Sequence, residues 1–171
     1  MAIDKKDHLT GDEARDKLRA LLAEFPIAFM VTIDGGEMTA RPIGVVGDHA
    51  AFDGTLWFIT DRRSHKVQAI ERGCAARLLF QNDARGTYLH LEGRATIVEN
   101  PAQLKKLYTP VQRTWFPDGP EDPNITLIRF DVDQGDYWDG HQSMVRLALA
   151  FAKAVVTGRP GASGHAGVAK L

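Results

Sequence analysis

A chain of 171 residues is one domain's worth of protein, and with 44% apolar and 25% charged residues it has enough apolar surface to offset the entropy of ordering, so wholesale disorder is excluded. Lys plus Arg number 21 against 22 Asp plus Glu, a net charge of −1. The basic excess of a nucleic-acid binder is absent, which argues against nucleic acid as a partner, while a local anion site remains compatible with a near-neutral chain.

One cysteine, Cys74, rules out an intramolecular disulfide. The start, residues 1–7, has no apolar stretch like a signal peptide, and apolar runs such as 27–31 fall far short of the roughly 20 residues that span a bilayer. The expectation is a cytoplasmic protein with no membrane partner.

The first element is a helix. Thr10 and Glu13 have the spacing of a capping box, and Ala14, Leu18, Leu21, Leu22 and Phe25 recur as one apolar stripe that Pro26 ends. Residues 27–33 read as a strand, Asp34-Gly35-Gly36 as a tight turn, and residues 37–46 as the return strand of a hairpin. Pro42 lies inside that strand. Lacking a ladder donor, it marks an edge, a bulge or a place where something other than a strand approaches. After a loop over 47–54, residues 55–60 form a short strand in which either Trp57 or Phe58 belongs to the core.

Ser64 then serves as N-cap of a short helix carrying Val67 and Ile70, closed by Gly73. Strands over 75–81 and 87–98 flank a turn at 82–86, and Asn100-Pro101 opens another helix with its apolar face at Ala102, Leu104, Leu107 and Tyr108. The proline-rich stretch 109–124 reads as an ordered loop, and a last strand runs from Ile125 toward Trp138. A mostly apolar helix follows over 144–156, and the Gly/Ala-rich end from 158 reads as frayed. Six hairpin-linked strands with peripheral helices predict a mainly β, antiparallel, six-stranded barrel rather than a doubly wound sheet. The domain is expected to span 10–158, with flexible tails at 1–9 and 159–171.

Asp61-Arg62-Arg63-Ser64-His65-Lys66 gathers four basic residues and a hydroxyl where a strand hands over to a helix. Free backbone donors and positive charge at that junction suit a phosphate, although a solvated basic turn capped by Ser64 would carry the same residues. Arg41, just before Pro42, could address a planar ring or phosphate, or form a surface ion pair. Trp115 in the proline-rich loop and Trp138 past the last strand are placed to line a flat-ligand pocket or an interface. The six histidines lack metal-ligand spacing, and no nucleotide-binding glycine loop or nucleophile elbow is present. Cys74 reads as an inert thiol, since no base can be placed beside it.

In order, Arg41-Pro42-Ile43-Gly44-Val45-Val46, Leu56-Trp57-Phe58-Ile59-Thr60-Asp61, Ser64-His65-Lys66, Gly93-Arg94-Ala95 and Tyr137-Trp138-Asp139-Gly140 resemble the flavin-binding split barrels of the pyridoxamine 5′-phosphate oxidase-like family. Trp115-Phe116-Pro117 and Phe151-Ala152-Lys153-Ala154 are similar to its general stress protein 26 type. The resemblance implies a split barrel that binds FMN at a homodimer interface. Arg41, Pro42 and Ile43 would lie along the flavin, with Ile59 and Thr60 beside it. Ser64, His65 and Lys66 would hold the phosphate, while Tyr88, Trp115 and, from the partner subunit, Trp138 would complete the site. A haem or deazaflavin ligand is the weaker alternative.

The sequence departs from the family oxidases at three places. His65 replaces an arginine and Val46 a lysine, and Met144 and Arg146 stand where a basic pair would hold the vitamin phosphate. These departures point to a flavin-binding stress protein that does not oxidise pyridoxine phosphates. A flavin-dependent oxidoreductase acting on another small substrate is the alternative.

Overall fold

The computed structural model describes residues 7–139 and 165–171. In chain order these form β1 (Asp7–Thr10), α1 (Gly11–Leu22), β2 (Ile27–Asp34), β3 (Glu37–Val46), β4 (Thr55–Asp61), α2 (His65–Glu71), β5 (Ala75–Asn82), β6 (Thr87–Val98), α3 (Pro101–Leu107), β7 (Ile125–Asp139) and β8 (His165–Lys170). Two short 3-10 turns lie at His49–Ala51 and Pro110–Thr114.

The strand order is β1-β8-β7-β4-β3-β2-β5-β6, and β6 returns to pair with β7. Strands β2 to β7 therefore close a six-stranded barrel in which every pairing is antiparallel, as the sequence predicts. The barrel interior follows from alternation. Ala28 and Met30, Phe58, Leu78 and Phe80, Leu89 and Leu91, and Ile128 and Phe130 point inward and are buried. The α1 stripe of Ala14, Leu18, Leu21 and Leu22 closes one end, with Phe25 tilted against Phe80 at 5.4 Å between ring centroids. A second cluster on the outside of β4 and β7 joins Val46, Ile59, Ile125 and Leu127 to Leu104 and Leu107 of α3. Phe58 is the core residue of its pair, and Trp57 packs only partly buried on that second cluster.

Three local expectations are corrected. Thr10 occupies the N-cap position, but its side chain makes no cap hydrogen bond. The residue is drawn instead into β1, where it pairs with Lys170. Ser64 has the extended backbone of an N-cap, yet its hydroxyl also makes no cap bond, whereas Asn100 does cap α3 by accepting from the Gln103 N–H at 3.0 Å. Parts of both expected tails are strands. Residues 165–170 form β8, which pairs antiparallel with residues 134–139 of β7 and parallel with β1. Their small side chains let Gly167 and Ala169 sit buried against the sheet. The helix predicted over 144–156 lies outside the described residues.

Candidate functional site

Residues 41–46 and 55–61 belong to neighbouring strands, but β3 and β4 pair only at Val45–Phe58 and Val46–Trp57. Beyond that point β3 stays with β2 through Arg41–Met30, while β4 stays with β7 through Thr60–Thr126 and Asp61–Ile125. The barrel wall is split there. The Val45 N–H donates to Pro26 O at 3.0 Å, so by alternation the backbone of Pro42 and Gly44 faces away from β2, toward the split. Pro42 has no N–H to lose on that free edge, which explains a proline inside a ten-residue strand.

Side chains divide along the same lines. Ile59 is buried in the α3 cluster and can present only backbone to the split, while Ile43 is buried in the core and its backbone, like that of Val45, faces β2. Arg41 faces inward and donates from Nη1 to Thr32 Oγ1 at 2.7 Å, Thr32 itself being buried. Burial holds the Arg41 guanidinium below its ordinary value. Lys66, in the first turn of α2, is pushed down first by burial and then by the charge of Arg41, with Asp61 opposing.

The surrounding cations are all neutralised. Arg62 pairs with Glu99, Arg63 with Asp61, Arg72 with Asp34 and Arg77 with Glu92. Asp61 engages Arg63 three times, accepting from its Nη2 at 2.8 Å, its Nε at 3.1 Å and its backbone N–H at 2.7 Å. That grip brings the Asp61 carboxyl down to about 2. Arg41 and Lys66 form no ion pair among the described residues. The hydroxyl oxygen of Ser64, two residues before Lys66, is buried without a hydrogen-bond partner among the described residues. Two unneutralised cations and an orphaned hydroxyl beside an open strand edge are the polar complement of an anionic group. His65 is exposed at the start of α2. Cys74 stays a thiol, its ionisation pushed up by burial.

Tyr88 and Trp138 lie elsewhere in the single chain. They face each other across β6 and β7 on the outside of the barrel. With Phe29, Leu79 and His90 they line a surface pocket of about 380 Å³. Tyr88 donates to Asp83 Oδ1 at 3.1 Å, and that bond and charge raise its phenol above the ordinary value. Trp115 ends the 3-10 turn at 110–114 and is 68% exposed, joining neither group.

Sequence reasoning missed the residues that the register assembles on this outer wall. His90 lies opposite Asp136, its Nδ1 at 3.2 Å from Asp136 Oδ2. Phe29 pairs with Leu79 in the neighbouring row, and both are exposed. The alternation of Tyr88, His90 and Glu92 was visible in the sequence. The partner strand's register was not, because a bulge between Glu92 and Gly93 shifts it.

The family called pyridoxamine 5′-phosphate oxidase like matches residues 13–161. The chain belongs to this family. Protein bli-3 of Neurospora crassa is 28% identical over 113 residues, covering 61% of this chain and 54% of that protein, so the chain spans about half the length of this curated relative. Among solved structures, a general stress protein 26 candidate from Jannaschia sp. CCS1 superposes with a TM-score of 0.76 at 20% identity, covering 91% of this chain and 97% of that one. The general stress protein 26 of Bacillus anthracis gives 0.63 at 24%, covering 72% and 92%. A general stress FMN/FAD binding protein from Xanthomonas citri gives 0.65 at 21%, covering 78% and 94%. These structures show that the split-barrel fold is shared. Among the described residues, no helix is long and apolar enough to cross a membrane.

Proposed function

We propose that this chain is an FMN-binding protein of the general stress type. The observation that carries the reading is the pair Arg41 and Lys66, left without carboxylates among the described residues where every neighbouring arginine has one. The orphaned Ser64 hydroxyl fits the same group, since a phosphate oxygen would satisfy it. The free edge at Pro42 and Gly44 would take the flat ring, and the name of the Xanthomonas citri protein, a binder of FMN or FAD, agrees. When bound, the flavin supplies the redox chemistry. This chain's residues hold and orient it.

The proposal includes a cytoplasmic homodimer. One chain presents its cations at the split and its aromatic wall of Tyr88 and Trp138 on the barrel's outside, so a second copy is the natural source of the wall that faces the split. Exposed Phe29 and Leu79 beside that wall are the apolar surface such a copy would cover. Trp115, exposed near the α3 cluster, is assigned to the same interface.

Oxidation of pyridoxine phosphates is not part of the proposal. Val46, where the oxidases carry a lysine, is buried among Leu104, Leu107 and Ile59 and brings no charge to the split. Met144 and Arg146 lie outside the described residues. A second reading, a flavin-dependent oxidoreductase for another small substrate, is favoured by the His90–Asp136 pair beside the aromatic pocket.

The test compares FMN with riboflavin. Lys66→Ala removes one charge-assisted contact, so FMN affinity should fall by about tenfold or more while riboflavin affinity changes by less than about threefold. Equal losses for both ligands would place the phosphate elsewhere.

A further inference from the structure

Two of the arginines around the split meet their carboxylates in the same way. Arg63 gives Nε and Nη2 to Asp61, and Arg72 gives the same two nitrogens to Asp34. Those N–H groups lie on one edge of the guanidinium, the edge whose spacing matches two oxygens of one anion. Arg41 is engaged from the other side. Its Nη1 donates to Thr32 Oγ1 at 2.7 Å and to Met30 O at 3.4 Å, while Nε and Nη2 make no hydrogen bond among the described residues. Neither of those two nitrogens is sealed from solvent.

The strand register produces this arrangement. Arg41 on β3 stands opposite Met30 on β2, and Thr32 is the next residue along the same inward face, a diagonal neighbour that a long side chain reaches. Met30 and Thr32 are 0% and 1% exposed, so the groups that receive Nη1 are fixed in a packed interior. Threonine is branched at Cβ, which limits the directions its hydroxyl can take. Burial and the nearby Arg41 charge both act on Lys66, so the two cations repel each other. A freely turning Arg41 would swing away from Lys66. The bond to Thr32 opposes that movement by tying down the side of the fork that an anion does not need.

We propose that Thr32 is the positioning residue of the anion site, holding Nη1 so that the Nε–Nη2 edge of Arg41 stays uncommitted near Lys66 for two oxygens of one phosphate. The inference deepens the flavin reading and rests on it for the identity of the phosphate. Thr32 touches no ligand. It acts through Arg41, sparing the anion the cost of immobilising a long side chain, which is worth about three- to tenfold in affinity.

The test titrates the full chain, freed of flavin, with FMN and with riboflavin and follows flavin fluorescence. Thr32→Val keeps the side chain's shape and removes the hydroxyl. FMN affinity should fall about three- to tenfold. Riboflavin affinity should change by less than about twofold, which also shows that the variant is folded. Thr32→Ser keeps the accepting oxygen and should restore FMN affinity to within about twofold of the parent. In an Arg41→Ala background, Thr32→Val should have no further effect, because its influence runs through the guanidinium.

A ligand-free readout stands beside these. In NMR spectra of the arginine side chains, the Nη1 protons of Arg41 should exchange slowly with water in the parent and in Thr32→Ser, and quickly in Thr32→Val. This comparison holds even where flavin binding by a variant is too weak to measure. Fast exchange in the parent, equal losses for both flavins in Thr32→Val, failure of Thr32→Ser to restore FMN binding, or an undiminished effect in the Arg41→Ala background would overturn the proposal. A parent that binds FMN no better than riboflavin would remove the phosphate reading itself. A parent that prefers FMN, with Thr32→Val keeping the whole preference, would overturn this inference alone.

Discussion

The two seams of the barrel are built in opposite ways. β6 and β7 stay paired from Tyr88–Trp138 to Val98–Leu127, whereas β3 and β4 meet only at Val45–Phe58 and Val46–Trp57. Glycines mark the contrast. A Cβ added to Gly93 on the closed seam would lie 2.1 Å from Asp131 O and 2.8 Å from Phe130 Cε1, while one added to Gly44 on the split seam meets nothing within 4 Å. One seam is a packed wall that makes the barrel stable. The other leaves backbone edge and charge uncommitted, which a wall built for stability alone would not do.

The largest expected effect tests the closed seam. Gly93→Ala forces a methyl into a backbone carbonyl that cannot step aside, so it should cost about 3 kcal/mol or more, or prevent folding. Gly44→Ala should stay within about 0.5 kcal/mol of the parent. Denaturant unfolding of both variants decides the matter, and equal losses would mean that the split seam is as tightly packed as the closed one.

Next comes the apolar wall outside the closed seam. Phe29→Asp places a charge on the surface assigned to the second copy. Sedimentation should change from about twice the 18.9 kDa chain mass to the single-chain mass. On the proposed shared site, FMN affinity should fall with it. A parent protein that runs as a monomer and still holds FMN would remove the shared site.

A smaller effect separates committed from uncommitted cations at the split. Lys66→Ala should lower FMN affinity about tenfold or more, whereas Arg62→Ala, which breaks only an exposed pair with Glu99, should change it less than about threefold. Matching losses would show that Arg62 leaves Glu99 for the ligand and that the neutralised state seen here is not the one that binds.

Most of the fold was legible because its elements are locally encoded. The α1 stripe, the Asp34-Gly35-Gly36 turn and Asn100-Pro101 each carry their own signal, and the bounds 37–46 and 87–98 match β3 and β6. Half of the candidate site was legible for the same reason. Ser64, His65 and Lys66 are consecutive, and Pro42 flags a free edge. The rest depends on long-range pairing. Whether Arg41 met a carboxylate could not be read before β2 brought it Thr32 instead of an acid. His90 acquires meaning only opposite Asp136, and β8 exists only because β7 outruns β4 and leaves residues 134–139 an open edge.

The smallest expected effect concerns Asp61, which decides how much charge the split shows. The Arg63 side chain and backbone hold its carboxyl at about 2, below its ordinary 3.8. A carboxyl whose folded value is depressed contributes stability above its unfolded value and loses it as pH falls through the folded one. The contribution is therefore complete above about pH 4 and gone near pH 2, and it stays below about 1 kcal/mol because the pair is solvent-exposed.

Asp61→Asn keeps an oxygen to accept from the Arg63 N–H but removes the charge that restrains both Arg63 and Lys66. The stability gap between parent and variant should narrow as pH is lowered through that window. At neutral pH the variant should bind FMN about two- to threefold more tightly, since net positive charge beside the phosphate rises by one. Weaker FMN binding by Asp61→Asn would show that the carboxylate supports the site through the turn it organises more than it competes for the site's cations.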